Sequence, residues 1–491
     1  MLSPVCSAAQ DVTLTAREGD LSISGTLQGY DGEFYRISSP YGALTIDAAG
    51  VICDGPACPD LTAPKATIRI LAVPGAGGDL IPPLFQAFAQ ARGLSFVLIS
   101  TDPWAAELRD PVKGQVLAQV SLTEADVTAL RPTLVSGGAE LALSAIVDPG
   151  LNARVVSMNG MVPIVAPSNT MPEISSADLA KVLDGTVKNW AQIGGPDIPL
   201  VLHALLPETG LQQALTARLG RAVQATVLHQ TPEALAKAVA SDPWGVGVTL
   251  VTETGPAKVL LLTDRCGFPL LPDRLAIKSE DYPLSLPVHV LTPRRRMPLF
   301  VREFLEFLST PAAQRVIGAT EWVDRGVQSE PLTKDGLRLI NAIQGAGKET
   351  TLEDLKRLVT AMDGASRVSF TFRFKDGSSS LDTASAENLA DLVRLIETDH
   401  FHGFKLILAG FSDGSGPAKT NLELSQTRSN AVLSALKAQA PGVPEEGLPE
   451  VMAFGEALPM ACDETDIGRR LNRRVELWMR PDFTNTPARE N

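Results

Sequence analysis

The sequence predicts a multidomain protein with a small all-β domain at its start, an α/β region in its middle and an α+β region at its end. Three observations predict this order: short alternating strands before residue 60, strand and helix patterns that alternate over 66–325, and a strand–helix–strand–helix–strand order over 366–481. The 491 residues suggest about three domains, and the 44% of hydrophobic residues can bury several cores.

The charge and the apolar pattern of the chain limit the partners and the location that can be expected for it. The 43 basic and 56 acidic residues give a net charge of −13, so nothing here favours nucleic acid, which binds basic stripes. No stretch of about 18 apolar residues predicts a membrane-spanning helix. Residues 1–10 are predicted to be the remnant of a signal peptide, because Ser7-Ala8-Ala9 before Gln10 resembles a cleavage site.

The first domain is predicted to be a small β unit because several short segments, such as 21–27, alternate with period two between Asp-Gly turns. Cys53 and Cys58 bracket Asp-Gly-Pro-Ala, and a loop this short can close a disulfide worth about 2 kcal/mol. The alternative is a metal site, which needs two further ligands. Whether Cys266 and Cys462 pair stays open.

The middle region alternates strands and helices. Residues 68–73 read as a strand, followed by a glycine-rich turn and a helical run over 80–92. Near its end, residues 299–308 predict an amphipathic helix, since phenylalanines recur at i, i+4 and i+7. The predicted domains are a signal-peptide remnant at 1–10, the β domain at 11–60, the α/β domain at 61–325, a linker with helices at 326–365, the α+β domain at 366–481 and a polar tail at 482–491.

The last domain contains a pattern of charged and polar residues that suits a zwitterionic ligand. A strand at 405–410 runs into a glycine-rich loop that can expose Asp413. On the following helix, Asn421, either Leu424 or Ser425, and Arg428 share one face. An ammonium group can pair with the Asp413 carboxylate, and a carboxylate can accept two hydrogen bonds from the guanidinium group of Arg428. The alternative is an internal salt bridge between these two side chains.

Residues 372–480 resemble the OmpA/Pal/MotB family of peptidoglycan-binding domains. Four motifs carry the resemblance: G-F-S-D-G-S-G at 410–416, N-x-x-L-S-x-x-R at 421–428, Gly455 with Pro459, and N-R-R-V at 472–475. The resemblance implies that Asp413 and Arg428 hold the diaminopimelate end of the stem peptide, and that Asn421 and Leu424 shape the same pocket. The family often has histidine where Phe411 stands.

The motif at 472–475 is expected to have a structural role. Asn472, Arg473 and Arg474 would then brace the last strand, whose apolar residues alternate inward.

Residues 61–325 resemble two-lobed type II periplasmic solute-binding proteins, in particular their PstS-like phosphate-binding branch. The segments that carry this resemblance are 160–169, 176–190, 244–247 and 304–314. Such proteins bind phosphate with hydroxyl groups and with N–H groups at helix N-termini. The corresponding candidates here are Gly77, Gly78, Ser144 and Thr209. The region that supplies an arginine in the family starts with His203.

The two resemblances together imply a non-catalytic periplasmic protein, associated with the cell wall or the outer membrane, that binds peptidoglycan. Its solute-binding-like domain would bind phosphate or another small anion, with an ABC transporter or another envelope protein as partner. The alternative is a wall-anchored structural or interaction scaffold whose solute-binding domain no longer binds a small ligand. No catalytic motif, cofactor or metal site is predicted.

Overall fold

The computed structural model describes residues 12–17, 21–30, 33–58, 66–334, 336–345, 349–375, 378 and 380–482. The predicted signal-peptide remnant at 1–10 and residues 483–491 of the predicted tail lie outside these residues. The chain divides into two compact units. The first contains the described residues through Ser157, with Pro207–Ala214 and Pro287–Asp324, and the second contains Met158–Leu206, Leu215–Leu286 and the described residues from Arg325 onward. Within the described ranges, every helix is too short or too polar to cross a membrane.

The first unit begins with a five-stranded antiparallel sheet. Its strands are β1 Val12–Ala16, β2 Ser22–Tyr30, β3 Phe34–Ser39, β4 Gly42–Asp47 and β5 Val51–Asp54, in the order β4-β3-β2-β1-β5. Alternation along the strands buries Val12 and Leu14 against Tyr35 and Ile37. A disulfide joins Cys53 of β5 to Cys58, which confirms the predicted bond and rules out the metal alternative because both thiols are used.

The α/β part of the first unit follows. Its elements are β6 Ala66–Ala72, α1 Ile81–Ala91, β7 Ser95–Thr101, β8 Trp104–Arg109, β9 Val116–Glu124, α2 Val127–Ser136, β10 Leu141–Ser144 and the start of β11 Asn152–Val165. Strand β6 lies between β10 and β9 and is parallel to both. Burial alternates along β6: Ile68 and Ile70 on one face are buried, as are Phe85 and Phe88 of α1, whereas Thr67 and Arg69 on the other face are exposed.

The chain then passes into the second unit and back. The elements in order are β12 Glu173–Ser175, α3 Ser176–Leu183, β13 Val201–Leu205, α4 Gly210–Leu219, β14 Val227–His229, α5 Pro232–Ser241, β15 Gly245–Leu250, β16 Lys258–Val259, β17 Leu261–Thr263, β18 Pro269–Leu270, α6 Arg274–Lys278, β19 Ser285–Thr292, α7 Leu299–Phe307 and α8 Pro311–Gly318. In the second unit β13 is parallel to β14 and β15, while β11 is antiparallel to β15. In the first unit, Phe304 of α7 stacks on Phe85 with ring centroids 3.9 Å apart.

The remaining elements form a five-stranded sheet of the second unit with helices on both faces. They are β20 Ser329–Pro331, α9 Gly336–Gly345, α10 Leu352–Ala361, β21 Ser366–Arg373, α11 Thr383–Glu397, β22 Phe404–Gly410, α12 Ala418–Gln439, β23 Glu450–Ala453, α13 Asp466–Asn472 and β24 Arg474–Pro481, with strand order β20-β21-β24-β22-β23. On β22, Leu406 and Leu408 belong to the core under α11 and α12, whereas Ile407 and Ala409 belong to the core under α9 and α10. The segment 326–365 was predicted to be a linker with helices; of its described residues, β20 forms an edge strand of this sheet, and α9 and α10 cover one of its faces.

A cluster of buried charges joins two parts of the second unit. Asp281, which follows α6, pairs with Arg367 and Arg373 of β21. Arg373 also donates a 2.6 Å hydrogen bond to the backbone oxygen of Ser279. Burial alone would raise the pKa of the Asp281 carboxyl, but the two guanidinium groups hold it below its ordinary value. The stretch 279–281 is therefore fixed to the last sheet by charge pairs that exclude water.

A second buried carboxylate completes this cluster. Glu476 of β24 receives a 2.6 Å contact from Arg338 and a 2.7 Å contact from Arg474. Burial would raise the pKa of Glu476, but Arg338, Arg367 and Arg474 together lower it. Burial lowers the pKa of Arg474 to about 10, so this side chain stays charged at neutral pH. Helix α9 is thereby attached to the sheet by ion pairing as well as by apolar packing.

We predict that Gly410→Ala destabilises the second unit by about 1–3 kcal/mol, the usual cost of overpacking. A Cβ atom on Gly410 would lie 2.3 Å from the backbone oxygen of Ser425, because β22 ends directly against α12. Urea unfolding followed by circular dichroism measures the change. Gly442→Ala is the control, since nothing lies within 4 Å of its Cβ position. Equal stability of the two variants would contradict the close approach of β22 and α12.

Candidate functional site

The loop between β22 and α12 holds Asp413 in a fixed position. The Asp413 carboxylate is almost entirely buried, and its Oδ1 accepts a 3.1 Å hydrogen bond from the backbone N–H of Ser415. On one side, the N–H of Ser412 donates to the oxygen of Gly455 at 2.8 Å. On the other side, the N–H of Gly414 donates to Oδ2 of Asp463 at 2.7 Å. The loop is therefore held from both ends, with the carboxylate oriented by its own turn.

Arg428 lies on α12, two turns beyond its first buried residue, and it is half-buried. Its Nη1 atom is buried, and among the described residues it has no hydrogen-bond acceptor. Burial lowers the pKa of Arg428 and the neighbouring charge of Arg473 lowers it further, whereas Asp413 raises it. The guanidinium stays charged at neutral pH. A buried, charged donor without an acceptor is rare in folded proteins and suits a site that receives an anionic group from outside.

Arg473 is a third charged residue of this site. Its Nη1 lies 3.5 Å from Oδ2 of Asp413, and its side chain is about one-third exposed. The sequence led to an expectation that Arg473 braces the last strand, and its contact with Asp413 adds it to the candidate site. No local pattern distinguishes Arg473 from Arg474, because the full burial of Arg474 depends on distant contacts. The site thus combines one carboxylate with two guanidinium groups, and the carboxylates of Asp463 and Glu456 lie beside Gly414 in the same loop.

Asn472 and Arg474, which flank Arg473 in the motif at 472–475, hold parts of the domain together, as expected. Asn472 accepts a hydrogen bond from the N–H of Met460 at 2.6 Å and donates to Oδ1 of Asp463 at 2.8 Å. Arg474 is fully buried, and its guanidinium carbon lies 4.4 Å from the ring centroid of Phe411. Phe411 is buried as well, so the departure from histidine at this position affects the core and leaves the exposed part of the site unchanged.

Asn421 and Leu424 have different positions on α12. Asn421 is only 1% exposed, and its Nδ2 donates to Oε2 of Glu456 at 2.8 Å. It therefore supports the site from beneath. Leu424 is 43% exposed and lies one turn before Arg428, where it offers an apolar surface beside the guanidinium.

The four predicted solute-binding residues all lie in the first unit, at the carboxyl ends of parallel strands. Ser144 ends β10 and is fully buried, and its Oγ accepts a 2.9 Å hydrogen bond from the N–H of Ile146. Gly77 and Gly78 belong to the turn after the neighbouring strand β6. Thr209 precedes Gly210, whose Cβ position would lie 2.5 Å from Val73 at the end of β6. The three segments that carry these residues therefore meet at one edge of the sheet.

Two features of this edge reduce its capacity for an anion. Pro82 and Pro83 open α1, and proline has no N–H group to donate. The Asp79 carboxylate lies just before this helix and accepts a 2.8 Å hydrogen bond from Nε1 of Trp322. The start of α1 thus presents negative charge and fewer donors than a helix N-terminus normally offers.

In the second unit, the side chain of His203 on β13 is hydrogen-bonded to other side chains of the protein. It is buried, its Nδ1 lies 2.9 Å from Nε2 of His229, and its Nε2 lies 3.1 Å from Oδ2 of Asp242. Burial and the neighbouring imidazole of His203 lower the pKa of His229. His203, which starts the segment expected to correspond to the arginine-containing region of the phosphate-binding family, is therefore hydrogen-bonded to His229 and Asp242.

The comparison with known protein families bears directly on the region around Asp413 and Arg428. Residues 373–473 match the model of the OmpA family. This part of the chain is an OmpA family domain. The Probable lipoprotein YiaD of Escherichia coli (strain K12) is 31% identical over 108 residues, which are 22% of this chain and 47% of that protein.

The N-terminal half of the chain is similar to phosphate-binding proteins. The Phosphate-binding protein PstS of Bacillus subtilis (strain 168) is 24% identical over 164 residues, which are 33% of this chain and 53% of that protein. The chain thus spans about half the length of the curated relatives it matches. A crystal structure of an ABC-type phosphate transport receptor from Vibrio cholerae has 16% identity and a TM-score of 0.41, over 52% of this chain and 99% of that one.

We predict that Asn421→Ala lowers the free energy of unfolding by about 1–3 kcal/mol, because it leaves the Glu456 carboxylate and the Gly416 oxygen without their shared donor. Urea unfolding measures the loss. Asn430→Ala, an exposed change on the same helix, should stay within about 0.5 kcal/mol of the wild type. If both variants are equally stable, Asn421 does not brace the site.

Proposed function

We propose that this chain is a non-catalytic periplasmic protein, associated with the cell wall or the outer membrane, that binds peptidoglycan through its OmpA domain. The observation that carries the proposal is the buried Nη1 of Arg428, which lacks an acceptor among the described residues, close to Asp413 and Arg473. The two disulfides support the location, because such bonds persist in oxidising compartments such as the periplasm.

The charges of the site suit the diaminopimelate residue of a stem peptide. Its free end carries an ammonium group and a carboxylate on one carbon atom. The carboxylate would accept hydrogen bonds from the guanidinium groups of Arg428 and Arg473, and the ammonium group would pair with Asp413. The exposed side chain of Leu424 would cover the methylene groups of the ligand beside Arg428.

The PstS-like half supplies the second part of the proposal. We propose that it presents a solute-binding-like domain of the phosphate or oxyanion type, with Gly77, Gly78, Ser144 and Thr209 as its polar contacts. An ABC transporter or another envelope protein is then the partner of this domain. A second function is favoured by Asp79, Pro82 and Pro83, which reduce anion binding at α1. In that version the domain is a wall-anchored interaction scaffold without a small ligand.

We predict that Arg428→Ala weakens peptidoglycan binding roughly 10- to 100-fold, corresponding to about 1.5–3 kcal/mol for a lost hydrogen bond to a charged group. Isothermal titration calorimetry of the full chain with a soluble disaccharide tripeptide that contains meso-diaminopimelate measures the affinity. Lys437→Ala, an exposed change near the other end of α12, is the control and should bind like the wild type. An unchanged affinity for Arg428→Ala would rule out the assigned role.

Thermal unfolding of the full chain with phosphate or sulfate separates the two versions of the PstS-like half. A melting temperature that rises with anion concentration, and a smaller rise in Thr209→Val, supports solute binding, because a ligand stabilises the folded state that it binds. A flat response in both proteins supports the interaction scaffold.

A further inference from the structure

The short segment 461–464 connects the Asp413 loop to a distant part of the second unit. Oδ2 of Asp463 accepts the N–H of Gly414, the residue after Asp413, at 2.7 Å. Oδ1 of Asp463 accepts Nδ2 of Asn472 at 2.8 Å. One carboxylate therefore fixes the turn that carries Asp413, and the position of Asp463 decides where that turn lies.

Asp463 lies in a loop with no helix or strand of its own, between β23 and the start of α13. Such a loop keeps one conformation only when other contacts hold it. From within the OmpA domain it is held by Asn472 and by Arg469, whose Nη1 donates to the oxygen of Asp463 at 2.7 Å. These contacts fix the residue from one side.

The other side is fixed from outside the OmpA domain. Cys462, next to Asp463, is bonded to Cys266, which lies 196 residues earlier in the chain. The N–H of Cys462 also donates to Oδ2 of Asp264 at 2.6 Å. Asp264 is itself buried, and its Oδ1 accepts the N–H groups of Cys266 and Phe268 at 2.9 and 2.8 Å. The turn 264–268 thus has a conformation fixed by its own hydrogen bonds, and it holds Cys462 by one covalent bond and one hydrogen bond.

We propose that the Cys266–Cys462 disulfide positions Asp463 and, through it, the Asp413–Gly414 turn, so that a loop outside the OmpA domain sets the affinity of the peptidoglycan site. Asp463 is a positioning residue, because it acts on the ligand only through the turn. This inference rests on the function proposed above.

The disulfide can be opened chemically without any change of sequence. Cys266 is exposed, so a dithiol reductant can reach its sulfur. The disulfide takes up two electrons and two protons and gives two thiols, while the dithiol loses the same electrons and protons and becomes a cyclic disulfide. Opening the bond leaves the turn 264–268 joined to the segment 461–464 only by the hydrogen bond from the Cys462 N–H to Asp264 and by the exposed ion pair of Arg265 with Glu464. Asp463 then samples positions that no longer match the Gly414 N–H.

The test compares three full-length proteins by calorimetry with the soluble meso-diaminopimelate disaccharide tripeptide. They are the wild type, Cys266→Ser with Cys462→Ser, and Cys53→Ser with Cys58→Ser as the matched control for loss of a disulfide. The first double variant should bind roughly fivefold more weakly or worse, at the lower end of typical coupling between sites. The control should bind like the wild type. A dithiol should weaken the wild type and the control alike and leave the first variant unchanged.

Two single variants test the route through Asp463. Asp463→Ala should weaken binding as much as loss of the disulfide, and adding Cys266→Ser with Cys462→Ser should weaken it no further. Asp463→Asn keeps one oxygen acceptor but loses the second, so it can serve only one of the donors Gly414 and Asn472, and its affinity should lie between those of Asp463→Ala and the wild type. Additive losses, or an Asp463→Ala that binds like the wild type, would overturn the positioning role. The two single variants and the dithiol experiment remain available if the double variant folds poorly.

The outcomes also separate this inference from the proposed function. If the wild type does not bind the disaccharide tripeptide, the proposed function fails and takes the inference with it. If the wild type binds, and binds equally well with the Cys266–Cys462 bond closed or open, only the inference is overturned.

Discussion

The second unit depends on the burial of two carboxylates, Asp281 and Glu476, among arginine side chains. Moving charges out of water is costly, and the cost is offset only when each buried charge keeps its partners. Asp281 lies well before the OmpA domain in sequence, whereas its partners Arg367 and Arg373 belong to the strand that leads into that domain. Loss of any partner would leave an uncompensated charge in the interior. The cluster therefore requires that this part of the chain and the OmpA domain fold against each other as one unit.

This constraint changes the way in which the OmpA domain is attached to the rest of the chain. Helices α9 and α10 cover one face of its sheet, and Arg338 of α9 pairs with Glu476 of the sheet. The Cys266–Cys462 bond adds a covalent connection close to the candidate binding loop. A wall-binding domain on a flexible tether would leave the orientation of the other domains free. Here the candidate site around Asp413 and Arg428 is fixed to the parts of the second unit that precede it, Met158–Leu206 and Leu215–Leu286, by buried charge pairs and one disulfide.

The sequence was sufficient for the parts of the fold that follow local rules. Alternating strands, helix periodicity and the motif around Asp413 and Arg428 depend on residues close together in the chain, and each is present in the structure. The rest depends on distant contacts. Cys266 and Cys462 are 196 residues apart, and no spacing rule pairs them. The role of Arg473 becomes visible only once Arg474 is known to be buried, and the partners of Asp281 lie in segments that local patterns treat separately.

Sedimentation with two kinds of cell-wall sacculi, which differ in the third residue of the stem peptide, tests most directly whether the site recognises diaminopimelate. Sacculi with meso-diaminopimelate carry a carboxylate beside the free ammonium group, whereas lysine-containing sacculi carry the ammonium group alone. Because Arg428 and Arg473 need a carboxylate partner, the full chain should pellet with the diaminopimelate sacculi and remain in the supernatant with the lysine sacculi. Equal pelleting with both, or with neither, would contradict the account.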